Sequence, residues 1–159
     1  MKIIWGGAGA PEINAAIERF VKQRIPGCSG GWDRFTSMGV VHDNALIAGI
    51  IYHNYCPDAQ VIELSGAADH KIWLNRHVLR EMYRYPLEEL KCQAVIHRIP
   101  DEDDAQHRML LTLGGLRYRI PRLRGPSAAE NIYVITREAW SNNKFNQKKC
   151  DEEQEYCSQ

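Results

Sequence analysis

The stretch from Gln60 to Arg76, QVIELSGAADHKIWLNR, limits the possible fold more than any other part of the chain. Val61, Ile62 and Leu64 are strand formers, whereas the Ser65, Gly66, Ala67 and Ala68 that follow are too small to fill a core. Small residues at a strand end let a ligand approach the backbone closely. Asp69, His70 and Lys71 then lead into a helix predicted over 73–85, with Val78, Leu79 and Met82 inward and Pro86 as its stop. A further strand is predicted over 94–99. Strand, helix and strand at this spacing form a right-handed βαβ unit with parallel strands. N–H groups at the helix start, with Arg76 close by, suit a phosphorylated ligand. The bland alternative is an ordinary strand-to-helix connection.

The flanking segments read as companions to this unit. A short strand at 2–5 precedes a helix opened by Pro11, in which Ile13, Ala16, Ile17, Phe20 and Val21 recur at helical spacing; Pro26-Gly27 closes it. Gly6, Gly7 and Gly9 lack the Gly-Lys-Ser/Thr ending of a phosphate loop. The glycine-rich stretch 28–35, with Trp32, reads as a loop bordering a cleft. Strands at 36–41 and 45–53 form a hairpin around Asp43-Asn44, and the second is apolar enough to lie centrally. Tyr52, His53, Asn54 and Tyr55 make a polar aromatic group at its end. A helix over 103–113 directs Met109, Leu110 and Leu113 to the sheet and stops at Gly114-Gly115. Antiparallel strands at 116–120 and 132–137 are expected across a loop at 121–130. The fold class is α/β (α+β): one domain over 1–140, a mixed, mostly antiparallel sheet of six to seven strands flanked by helices. A polar tail at 141–159 is expected to be mobile or a short surface helix.

Composition narrows the function classes. Among 159 residues, 44% are apolar and 25% charged, which is a globular rather than a disordered composition. Lys+Arg and Asp+Glu both number 20, so no global basic excess calls for nucleic acid. Arg117, Arg119, Arg122 and Arg124 cluster locally, as a solvated face or a polyanion site. Five cysteines without a CxxC pair argue against a disulfide framework and a zinc site, and no metal is expected. The absence of a long apolar run or signal-like order reads as a cytoplasmic protein without a membrane span.

The ordered set LIAGIIYHNY, VIELSGAA, WLNRHVL, YPLEEL and LTLGGLRY resembles the GNAT superfamily of N-acetyltransferases, and within it the small acetyltransferases often encoded by phages. The resemblance covers residues 11–138. It implies a sheet that splays after the central strand, with the pantetheine arm of acetyl-coenzyme A in the gap along Leu64, Ser65, Gly66 and Ala67, and acetyl transfer to a primary amine in a ternary complex. It places the general base at Glu63, with His53 as the competing candidate. The pyrophosphate loop falls on His70, Trp73 and Asn75, where both small positions are lost, so Arg76 together with His70 or Lys71 becomes the phosphate partner. The tyrosine that usually protonates the thiolate falls at Leu110, leaving Tyr118 or Tyr55 to substitute, and the polar start of the last helix falls at Asp103. The amine acceptor is unspecified, and a homodimer stays open. Two other classes remain: a non-catalytic binding or assembly module of this fold, and a phage-type enzyme modifying DNA bases, which would need the arginines to form a groove.

Overall fold

Asp43 and Asn44 both take positive φ, 47° and 61°, which closes the hairpin of β2 (Phe35–His42) and β3 (Ala45–Cys56) with the primed turn that suits twisted strands. The computed structural model describes residues 1–146. Around the hairpin are β1 (Lys2–Gly6), α1 (Pro11–Lys22), β4 (Val61–Ala68), α2 (Arg76–Arg84), β5 (Ala94–Pro100), α3 (Asp104–Thr112), β6 (Leu116–Gly125), β7 (Ala128–Thr136) and α4 (Arg137–Ser141). Among the described residues the strands form one seven-stranded sheet in the order β1-β2-β3-β4-β5-β7-β6. Every neighbouring pair is antiparallel except β4 and β5, the pair joined by the α2 crossover. The sheet is therefore mixed and mostly antiparallel, as expected.

Three expectations about element limits need correction. The helix expected over 73–85 begins only at Arg76, because Asn75 caps it by accepting the Val78 N–H at 2.9 Å; residues Lys71–Trp73 form a separate 3-10 turn. Pro86 does not end the helical path, which continues as a wide π turn over Tyr85–Glu89, with Leu90 N–H on the Tyr85 carbonyl at 3.0 Å. Proline cannot donate to the carbonyl four residues earlier. That carbonyl, on Met82, instead accepts the Tyr52 hydroxyl at 2.9 Å. Finally, the loop expected at 121–130 is mostly ladder: a bulge with Arg122 at φ 64° lets β6 run on to Gly125, which pairs with Ala128. Of the tail expected at 141–159, residues 147–159 lie outside the described residues, and Trp140, just before it, is fully buried against Tyr83.

The two faces of the sheet carry unequal cores. On one face Ile50, Tyr52, Ile62, Leu64, Val95, Tyr133 and Ile135 meet Val78, Leu79, Met82 and Tyr83 of α2, Leu110 and Leu113 of α3, and Trp140. On the other, Ile17, Phe20 and Val21 of α1 pack on Ile51, with Trp32, Phe35 and Ala67 at the margin. Gly6 permits α1 to turn back immediately after β1. A Cβ there would lie 2.5 Å from the Asn14 Cα and 2.6 Å from its nitrogen, which are backbone atoms that cannot rotate aside. Of the early glycines, Gly6 thus serves close packing. Gly6→Ala is expected to lower stability by about 1–3 kcal/mol, read as a lower urea midpoint with an unchanged slope, whereas Gly9→Ala, which meets nothing within 4 Å, leaves it near the parent.

Candidate active site

The sheet opens where the resemblance places a cofactor. Parallel pairing of β4 with β5 covers only Val61↔Ala94 through Leu64↔His97. Pairing with β3 continues to Ala48↔Ala68, so the last four residues of β4 have a free edge. Asp69 N–H bonds the Ile47 carbonyl at 2.9 Å. Alternate pairs of an antiparallel ladder repeat that bonding, which commits the Ala67 and Ser65 backbone to β3 and turns Gly66 and Ala68 toward the gap. Two of the four positions expected to meet pantetheine are thus backbone partners of β3 instead.

Glu63, His53 and Ser65 share the α1 face beside this gap. Strand alternation and the register His53↔Glu63 and Ile51↔Ser65 put them together. His53 Nε2 and Ser65 Oγ lie 2.8 Å apart, and His53 Nε2 is 3.9 Å from Glu63 Oε1. The second carboxylate oxygen accepts Asn54 Nδ2 at 3.0 Å, a contact that Asn54 reaches by taking φ 51°. Trp32 tilts over the imidazole with ring centroids 5.6 Å apart, so the glycine-rich loop does border this site. Burial lowers the His53 pKa and the Glu63 charge only partly opposes it. The imidazole is therefore neutral at pH 7, and its pairing with Glu63 is not an ion pair. Its Nδ1 is buried and, among the described residues, has no hydrogen-bond partner.

The other expected residues fall into three groups. Tyr55 is exposed on β3 past His53, away from the gap, whose β3 partners are earlier in that strand. Tyr118 is exposed on β6, with β5 and β7 between it and β4, roughly 14 Å away at ordinary strand spacing. Tyr118 is not brought to Glu63, and Leu110 is wholly buried. Asp103 caps α3, accepting the Gln106 N–H at 3.2 Å. Trp73 packs against the larger core, while His70 and Lys71 are exposed.

A cavity of about 320 Å³ lies between α2 and α3, lined by Leu74, Leu79, Met109, Leu113 and Phe145, with Arg76 at its rim. Its walls are largely apolar, as a pantetheine arm needs, but no β4 residue lines it. The phosphate end fits less simply, because Arg76 donates to the Phe145 carbonyl at 3.3 Å and to the Lys144 carbonyl at 3.2 Å.

No family model matches the sequence, and no curated protein matches it. Solved structures do. A spermidine N-acetyltransferase chimera of Vibrio cholerae SpeG and hSSAT aligns with a TM-score of 0.67 at 8% identity, covering 89% of this chain and 100% of that one. The fold is that of the GNAT acetyltransferases. Ribosomal-protein-S5-alanine acetyltransferase from Vibrio fischeri aligns with a TM-score of 0.57 at 11% identity, covering 67% of this chain and 63% of that one. The chain spans 62% to 65% of the length of several such GNAT-fold structures. Among the described residues, no helix is long and apolar enough to cross a membrane, and no three His, Cys, Asp or Glu side chains gather as metal ligands.

On the helix side of the same strands, His97 stands in register with Leu64, where the pairing ends. It shares a 2.9 Å hydrogen bond with the Tyr83 hydroxyl, and burial lowers its pKa to about 4. Between pH 6.5 and 4 the unfolded chain binds a proton there that the folded chain refuses, so stability falls on acidification. His53 adds to this in the same direction. Unfolding free energy from urea titrations is expected to drop by roughly 2–3 kcal/mol from His97 between pH 7 and 4.5, and His97→Gln flattens that dependence.

Proposed function

We propose that this protein is an N-acetyltransferase that moves an acetyl group from acetyl-coenzyme A to a primary amine. The observation that carries this reading is the opening of β4 from β5 with Glu63 on its wall. Acetyl-coenzyme A supplies an activated acetyl thioester. The chain supplies position and proton handling: the β4 edge at Gly66 and Ala68 aligns the arm, and Glu63 takes the proton of the incoming amine directly or through one water. The nitrogen lone pair then forms the N–C bond as the C–S bond breaks. Neutral His53, fixed by Ser65, holds the carboxylate side of the site without supplying a counter-charge that would weaken the base. With Leu110 at the usual acid position, the departing thiolate relies on backbone N–H groups and water.

Glu63→Gln is expected to lower kcat by about two to four decades while calorimetric affinity for coenzyme A stays near the parent. Near-normal turnover in this variant would move the base to His53 or to water, and an activity limb closer to neutral pH would identify the histidine.

Gly66→Pro removes an N–H aimed into the gap without removing one from the β3 ladder. A folded Gly66→Pro protein is expected to bind coenzyme A at least tenfold more weakly, and unchanged affinity would displace the arm from this edge.

The non-catalytic reading draws on Leu110 and on the carbonyls that hold Arg76. It takes over if the unmutated protein binds no coenzyme A at millimolar concentration. The DNA-modifying reading has less support: strand alternation sends Arg117 and Arg119 to Asn131 and Asp101 on one face, and Arg124 to Glu130 on the other, so the arginines line no single groove.

A further inference from the structure

Across the gap from Glu63, the same face of the sheet carries a second charged group that the acetyl-transfer reading leaves unused. Glu63 pairs with Ile96, Ile96 with Val134, Arg98 with Ile132, and Pro100 with Glu130, so Arg98 and Glu130 rise on the Glu63 side. Glu130 is only 2% exposed. Its Oε2 accepts Arg98 Nη2 at 3.1 Å and Nε at 3.3 Å, and its Oε1 accepts Arg124 Nη1 at 3.0 Å.

One buried carboxylate needs one cation to balance it. Here two guanidiniums share it, which leaves an excess positive charge. The arginines are not buried with their partner: the Arg98 side chain is 45% exposed, and its Nη1 N–H groups remain for a ligand. A guanidinium fixed along one edge presents its other donors at a set angle, a geometry suited to carboxylate or phosphate oxygens.

The charge faces the reaction site rather than distant solvent. The Arg98 charge lowers the His53 pKa, and Cys28, in the Trp32 loop, feels Arg124, Glu63 and Arg98 together. From strand spacing and rise, the Arg98 and Glu63 backbones are about 8 Å apart, a span bridged by a small molecule with an amine at one end and an anion at the other.

We infer that the acceptor is a small primary amine bearing an anionic group, carboxylate or phosphate, with the amine at Glu63 and the anion at Arg98. This rests on the acetyl-transfer reading. A polycationic amine such as spermidine would meet like charge at Arg98 and Arg124, so the acceptor differs from the one that names the SpeG chimera.

The test measures kcat/KM by coenzyme A release for β-alanine against its amide, for phosphoethanolamine against ethanolamine, and for spermidine. Direct calorimetry of the same amines on the protein alone accompanies it. The anionic member of at least one pair should exceed its neutral partner and spermidine by tenfold or more, and the winning pair tells carboxylate from phosphate. Arg98→Gln should bring that ratio close to one, and Arg98→Lys should keep part of it. Preference for spermidine or a neutral amine, or an undiminished ratio in Arg98→Gln, overturns the inference while leaving acetyl transfer intact. Failure to bind coenzyme A overturns the acetyl-transfer reading instead. Calorimetry then decides the inference: tight binding of an anionic amine, lost in Arg98→Gln, supports it, and no binding of either anionic amine overturns it.

Discussion

Four residues of parallel pairing, Val61 to Leu64 against Ala94 to His97, hold the two halves of this sheet together. Had the ladder continued, Gly66 and Ala68 would have their N–H and C=O groups satisfied by β5, and no ligand could use them. Of the small residues that follow Leu64, only Ala67 packs at the margin of the α1 core. A Cβ on Gly66 would come within 2.7 Å of the Ile50 side chain, so even this open edge is tightly packed on its β3 side. The gap follows from where the pairing stops.

Electrostatics divides the site along that gap. On the β4 wall a carboxylate sits beside an imidazole that burial keeps neutral, so the negative charge of Glu63 is not cancelled. On the β5 and β7 wall a buried carboxylate is outnumbered by two guanidiniums. Two polar groups on the helix side are, by contrast, paired. His107 donates Nε2–H to the Pro100 carbonyl at 3.0 Å and accepts the Tyr133 hydroxyl at Nδ1 at 2.7 Å, and Arg119 holds the Asp101 carboxyl well below the usual carboxylate range.

Much of this was legible in the sequence where local chemistry decides. Asp43-Asn44 fixed one turn, Gly114-Gly115 ended one helix, and the VIELSGAA pattern marked the strand where the sheet opens. Glu63 was singled out because the resemblance puts a base on the central strand, and His53 because it ends the neighbouring strand and titrates near neutrality. What sequence could not supply was register. The pairing His53↔Glu63 depends on how β3 and β4 align, and Arg98 meets Glu130 only because β7 begins earlier than its turn-like neighbours Gly125 and Pro126 suggest. Reading Glu130 as loop hid that alternation. Pro86 misled for a different reason: its effect on the helix is offset by a hydroxyl from a strand 30 residues away.

That hydroxyl ties secondary structure to tertiary assembly. The Met82 carbonyl, left open by proline, has its partner on β3, so the end of α2 and the π turn after it gain full hydrogen bonding only once the hairpin is in place. The bond spans 30 residues, so it forms only when the chain between β3 and α2 has closed on itself. The crossover that positions β5 against β4 therefore inherits its order from the hairpin. In amide exchange, the turn should open together with β3 as one unit rather than fray as an independent helix end.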